Sequence, residues 1–480
     1  MTRPNIVLIT ADDLNWNSVG AYGCQTPEGT PNIDALAADG VRFNYGHVTI
    51  AVCQPSRGAL MTGRYPHKSG QEGFHYINHR HDVPLLPAVL REAGYISGII
   101  GKAWHSTPRQ DFKWDLYEDM EDLGWGRDAE LYHGHTKQLI EMAREADKPF
   151  FLMANSHDPH RPFHGNDDDL QGKQGITYPG PSRVYDPQEV EIPGFLPDLP
   201  AVRREMAEYA SSVRRCDDTV GRILDALKDA GVYANTLIMF ISDNGMAFPF
   251  SKTNCYLHST KTPWIVCWPG KIEKGSVDND HFISGIDFMP TALEVAGATC
   301  PEGVDGTSFL SLLEGAKDAS RDRVFTQFHQ TAMRRRYPMR CVQDRRFGYI
   351  FNPWSDGDRA FENESQAGRT FRAMQAAGES DEVIAERVEL FQHRVVEELY
   401  NFEDDPDALV NLIDDPGYQD EANCLRGELE AWMVAHGDLA LDAFRNRHSP
   451  EALAAFMDEQ EIHGRKLWEE GNRDHDAAFV

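Results

Sequence analysis

The 480-residue sequence is short of several features that would each narrow its role. No stretch approaches the ~18 consecutive apolar residues of a membrane span. Its eight cysteines (24, 53, 216, 255, 267, 300, 341 and 424) form no Cys-x-x-Cys pair and no tight group. That spacing argues against a zinc site or a disulfide scaffold and for small buried hydrophobes. Cations are scarce too, with 47 Lys and Arg against 76 Asp and Glu, a net charge of -29. Such a balance repels nucleic acid and anionic membrane surfaces at long range, so neither is an expected partner. Internal repeats and low-complexity segments are missing. The start, MTRPNIVLIT, enters an apolar run by residue 5 and leaves no room for a signal peptide, which predicts a cytoplasmic protein.

What remains is an ordinary globular composition, 41% hydrophobic and 26% charged, in a chain long enough for two domains. Short β-branched runs recur at 5–10 (NIVLIT), 95–100 (YISGII), 150–154 (FFLMA) and 236–242 (TLIMFIS). Continuous apolar runs of that length predict strands buried on both faces, hence a parallel sheet between helices. Helical periodicity lies between them, most clearly over 201–230, and also over 32–39 and 85–93, each closed by a glycine. The alternation predicts an α/β fold.

Each run ends in a polar cluster: Asp12-Asp13, Lys102 to His105, His157 to His160, and Asp243-Asn244. Ligands of such sheets sit beyond the carboxyl ends of the strands, where all four clusters fall. A proline-rich stretch at 164–200 lacks periodicity and reads as a wall over that site. After about residue 320 the texture changes to short strands (323–329, 339–343, 347–351), then a helical pattern at 418–436 and a charged tail. The division expected is a catalytic domain over 1–320 and a smaller α+β domain, built on an antiparallel sheet, over 321–480.

Taken singly, these groups allow plain readings. An Asp-Asp pair caps helices and lines solvated turns, and other pairs here (217–218, 404–405, 414–415) read that way. Facing Asp243 and Asn244 across two strand ends, Asp12 and Asp13 instead make an all-oxygen site suited to Ca²⁺ or Mg²⁺. Lys102, His105, His160 and Lys252 are each more often surface or hydrogen-bonded residues. Gathered with Arg57, they would neutralise a tetrahedral anion beside the metal.

The stretch CQPSRGALMTG at 53–63 resembles the sulfatase signature C-x-P-S-R-x-x-L-x-T-G, with every fixed position present. In that family the cysteine is oxidised to formylglycine by a formylglycine-generating enzyme. A thiolate would trap sulfate as a stable adduct, whereas a hydrated aldehyde attacks with one hydroxyl and expels sulfate by deprotonating the other. GKAWH at 101–105, HDPH at 157–160, SDNG at 242–245 and ELYNFEDDPDALVNL at 398–412 match further family elements in order. The resemblance implies an alkaline phosphatase-like fold, a large mixed or parallel sheet flanked by helices. It implies metal binding by Asp12, Asp13, Cys53, Asp243 and Asn244. It also implies sulfate stabilisation by Arg57 and Lys102, a base in His105, and leaving-group contacts from His160 and Lys252.

Segments 185–209, 242–256 and 336–347 resemble N-sulfoglucosamine sulfohydrolases, the sulfamidase branch. Two departures leave N- versus O-sulfate open: Lys252 stands where sulfamidases carry arginine, and Lys102 and His105 are spaced K-x-x-H rather than K-x-H. The expected substrate is a small or terminal sulfated sugar, since a chain at -29 repels a long polyanion. A phosphodiesterase or phosphonate monoester hydrolase of the same superfamily, or a glycan-binding protein with unmodified Cys53, are the alternatives. Nothing here sets the oligomeric state, and a homodimer stays open.

Overall fold

The computed structural model describes residues 3–74, 82–107, 112–166 and 177–478. Eight strands build the large sheet: β1 (Asn5–Ala11), β2 (Val41–His47), β3 (Ile96–Ile100), β4 (Leu116–Glu118), β5 (Phe150–Asn155), β6 (Thr236–Ser242), β7 (Trp264–Cys267) and β8 (Ser276–Ser284). Their order is β4-β3-β5-β1-β6-β7-β2-β8. The five strands from β4 to β6 run parallel, and β7 runs antiparallel to both of its neighbours. The apolar runs thus mark the parallel centre. Short β7 makes the sheet mixed, against the all-parallel sheet that those runs alone predict.

Alternation along β1 shows why its run is continuous. Val7 and Ile9 enter one apolar core with Met206, Val213 and Val220 of the long Pro200–Asp229 helix. Ile6 and Leu8 enter a second core on the opposite face with Leu86, Leu90 and Phe288. A strand covered on both faces has no polar side to display.

The second sheet holds β9 (Arg323–Gln330), β10 (Arg336–Asp344), β11 (Phe347–Phe351) and β12 (Glu397–Asn401), antiparallel in the order β12-β11-β10-β9. It docks directly on the chain leading to Cys53, where Gln327 N donates to Thr49 O at 3.0 Å. Phe328, Tyr337 and Met339 continue the first core into this sheet. The expected charged tail is instead a helix, Pro450–Ala478, because Leu453, Phe456 and Met457 recur at helical spacing and bury their side chains. Of the 164–200 stretch, residues 167–176 lie outside the described residues. Residues 177–199 are irregular and pack along the long helix, with Tyr185 N donating to Ser211 Oγ.

Candidate active site

Sheet register assembles the site. In the β1–β6 pair Ala11 lies beside Ser242, so the next residues, Asp12 and Asp243, emerge side by side. In the β1–β5 pair Thr10 lies beside Asn155, and Ile100 of β3 lies beside Ala154. Lys102 and the His157–His160 loop therefore leave the same edge. Asp12 N donates to Asp158 O at 3.1 Å and Asp243 N to Ala11 O at 3.2 Å, tying these ends together. Two site residues adopt left-handed backbone, Asp13 at φ 68° and Lys102 at φ 45°, a conformation that the surrounding hydrogen bonds must hold. Gly101, at φ 72°, is required here because a Cβ would strike Asn155 O and the Tyr132 hydroxyl.

Asp12, Asp13 and Asp243 each place a carboxylate oxygen so that the three lie within 4.8 Å of one another, all fully buried. Cys53 opens the buried helix Cys53–Thr62, with Sγ 3.5 Å from Asp12 Oδ1 and 3.9 Å from Asp13 Oδ1. Asn244 Nδ2 donates to Asp13 Oδ1 at 2.7 Å, while its Oδ1 is buried with no hydrogen-bond partner among the described residues. Three carboxylate oxygens gathered this closely, next to an amide whose oxygen is left unpartnered, fit a Ca²⁺ or Mg²⁺ ion.

Cations ring these acids. Arg57 Nη2 lies 2.7 Å from Asp243 Oδ2, and its Nη1 donates to Thr10 Oγ1 and Asn155 Oδ1 at 2.8 and 2.6 Å. Lys102 pairs with Asp12. Lys252 Nζ lies 2.8 Å from Asp13 Oδ1 and also pairs with Glu364. His160 Nε2 is 3.9 Å from Asp13 Oδ2, and His157 Nδ1 is 3.8 Å from Asp12 Oδ2.

Burial and charge set the protonation states. Burial pushes the Asp12 carboxyl up, but Lys102, His160 and Arg57 outweigh it and hold it well below the ordinary carboxylate range. Burial, reinforced by Asp12 and Asp13 against the pull of Arg57, raises Asp243 to about 7. Packed carboxylates cannot all ionise cheaply, which is the electrostatic condition that an added cation would relieve. Burial lifts the Cys53 thiol well above its usual value despite Lys102 and Lys252. An uncharged thiol is a poor nucleophile. Burial also lowers His157 and His160, and together with Lys102 it brings His105 down to about 3. His105 is therefore neutral at pH 7.

Cys53, Arg57, Lys102, His160, Lys252, Asp12, Asp13, Asp243 and Asn244 thus converge. His105 sits beside them in the short Ala103–Ser106 turn, its ring edge-on to Trp104 and Phe74, and among the described residues it makes no hydrogen bond to another member of the cluster. Two neighbours escaped the sequence reading. His157 stands inside the quoted HDPH motif and was within reach of it. Glu364 carries no local signal, since it is a distant residue brought in by the second sheet. Asp158, from the same motif, is held by Arg215 at 2.7 Å and Arg127 at 3.3 Å. Arg127 is in turn capped by the ring of Tyr178, and Arg215 Nη1 donates to Pro179 O at 2.6 Å.

The sulfatase family model matches residues 4–298, and that of the N-sulphoglucosamine sulphohydrolase C-terminal region matches residues 246–357. The chain is 30% identical to N-sulphoglucosamine sulphohydrolase of Homo sapiens over 462 residues, covering 90% of each protein. It is 27% identical to an ulvan-active sulfatase of Formosa agariphila, covering 91% of this chain and 81% of that one. Among solved structures, a protein in complex with its substrate D-glucosamine-2-N,6-O-disulfate aligns at TM-score 0.68 and 19% identity, covering 91% of this chain and 99% of the other. Phosphonate monoester hydrolase of Agrobacterium radiobacter aligns at TM-score 0.64 and 19% identity, covering 90% and 96%. With a family model matched over more than half its length, the chain belongs to the sulfatase family and is an enzyme of it.

Proposed function

We propose that this enzyme removes sulfate from the nitrogen or oxygen of a small or terminal sugar, using formylglycine at Cys53 and a divalent cation. The observation that carries this reading is Cys53 itself. Its Sγ is sealed against Asp12 and Asp13 between Lys102 and Lys252, yet burial keeps it an un-ionised thiol. The position suits a nucleophile and the native thiol does not, so oxidation to an aldehyde resolves the conflict. Asp12, Asp13, Asp243, Asn244 and the modified Cys53 would hold Ca²⁺ or Mg²⁺, whose charge would draw a sulfate oxygen into the site.

The remaining roles belong to the chain's own residues. Arg57 and Lys102 offset the charge of the sulfate oxygens and of the Cys53 hydrate. His105, neutral at pH 7, takes the proton whose removal frees the enzyme from sulfate. His160 and Lys252, both against Asp13, face the departing atom, and one of them delivers its proton. The N-sulphoglucosamine relative favours a sulfated glucosamine, and Lys252 in place of arginine keeps O-sulfates in the range to be tested.

The test is the mass of the Cys53 peptide combined with a desulfation screen on defined sulfated mono- and disaccharides, with a phosphodiester and a phosphonate monoester alongside. Aldehyde mass at Cys53 with sulfate release supports the proposal. Faster phosphonate or phosphodiester cleavage supports the superfamily alternative, whose fold the Agrobacterium neighbour shares. An intact thiol in protein that binds glycan without turnover supports a binding role.

A further inference from the structure

Glu364 is the acid at this site that the sulfate reading does not use. It begins the short turn Glu364–Ala367, far along the chain from every other site residue, and the structure positions it carefully. Asn363 Nδ2 donates to Thr253 Oγ1 at 2.6 Å, next to Lys252. Tyr337 Oη donates to Ala360 O at 2.7 Å and accepts from Glu362 N at 3.1 Å, pinning the approach. As a result Glu364 pairs with Lys252, and its oxygen falls within 4.8 Å of both His160 and Asp13. The three carboxylates of the cation cluster are fully buried, whereas the Glu364 side chain is 29% exposed.

A carboxylate within an anion site repels the sulfate unless the substrate offers it something. His160 and Lys252 are the residues assigned above to the departing atom, so Glu364 stands beside that atom as well. The bridging oxygen of a sulfate ester carries no hydrogen and gives Glu364 nothing. The nitrogen of a sulfamate carries an N–H, and the free amine that follows cleavage takes up a proton and becomes a cation. We propose that Glu364, set against Lys252 and His160, selects a sulfated nitrogen over a sulfated oxygen by accepting that N–H and then holding the ammonium. This rests on the sulfatase reading of the site and deepens it to a substrate class.

The experiment compares the parent enzyme with Glu364→Ala and Glu364→Gln, all at matched Cys53 conversion and Ca²⁺. Substrates are glucosamine N-sulfate and N-acetylglucosamine 6-sulfate, and binding of glucosamine and of glucose is measured by calorimetry. In Glu364→Ala the ratio of kcat/KM for N- over O-sulfate should fall about ten- to a hundredfold, the size of one hydrogen bond to a charged group. The O-sulfate rate should hold or rise. The parent should bind glucosamine more tightly than glucose, and both variants should lose that preference. Equal losses on both substrates would reduce Glu364 to a support for Lys252 and overturn the proposal. So would a parent that cleaves O-sulfate but not N-sulfate, or that binds the two sugars alike. A parent with converted Cys53 that cleaves neither sulfate overturns the sulfatase reading instead, and the calorimetry still decides the role of Glu364.

Discussion

Arg57 and Asp243 meet with no water between them: Nε and Nη2 of the guanidinium lie 2.9 and 2.7 Å from the same carboxylate oxygen, and both side chains are wholly buried. Its Nη1 reaches Thr10 Oγ1, Ser106 Oγ and Asn155 Oδ1, one each from the ends of β1, the β3 turn and β5. One side chain therefore holds three strand ends in register around the acidic cluster.

Removing Arg57 should cost fold and chemistry together. Arg57→Ala leaves a buried carboxylate unpaired, a loss of about 3–5 kcal/mol. Arg57→Lys keeps a charge but cannot supply the fork, so it should keep part of the stability and little of the turnover. Urea midpoints and kcat of both variants check this, and a lysine variant with parental kcat would contradict it.

Cation binding should be visible without any assay of turnover. Ca²⁺ at a hundredfold excess over Kd should stabilise the fold by about 2.7 kcal/mol, read as a rise in Tm after exhaustive chelation. Asp13→Asn should abolish most of that rise, because Asp13 is the acid shared by Asn244 and Lys252. Equal Ca²⁺ responses in the parent and in Asp13→Asn would argue against the site.

His47 should make the fold acid-sensitive at a point away from the sulfate site. It is fully buried, with Nδ1 3.1 Å from Thr260 Oγ1. Burial, aided by Lys261, lowers it to about 3. The sign follows from which state binds the proton. The unfolded chain takes it up below about pH 6.5 while the folded one refuses it until about 3, so stability falls as pH drops through that window. From pH 7 to pH 5 the loss from this residue is about 2 kcal/mol. Urea denaturation of the parent and His47→Gln at the two pH values should show a smaller drop in the variant, and parallel profiles would remove His47 from the account.

Much of the site was legible in the sequence because of where its residues fall. Strands covered on both faces must be continuously apolar, so NIVLIT, FFLMA and TLIMFIS announce themselves, and the first polar residues after them mark the ligand edge. Asp12, Asp13, Lys102, His160, Asp243 and Asn244 are all such residues. Cys53 and Arg57 were legible for another reason, that their motif is local and continuous.

Other features had to wait for the tertiary structure. The antiparallel β7 is only Trp264–Cys267, too short for its direction to be read from a pattern. Strand β12 looked like part of a C-terminal motif, and the last helix looked like a tail, because its apolar residues are sparse among charges. The Arg57–Asp243 pair and the place of Glu364 depend on contacts between segments far apart in sequence. Local propensity carries no record of such contacts. That Glu364 meets Lys252 is decided by how Asn363 docks on Thr253 and how Tyr337 pins the chain before it, and those hydrogen bonds exist only once the two sheets share a core.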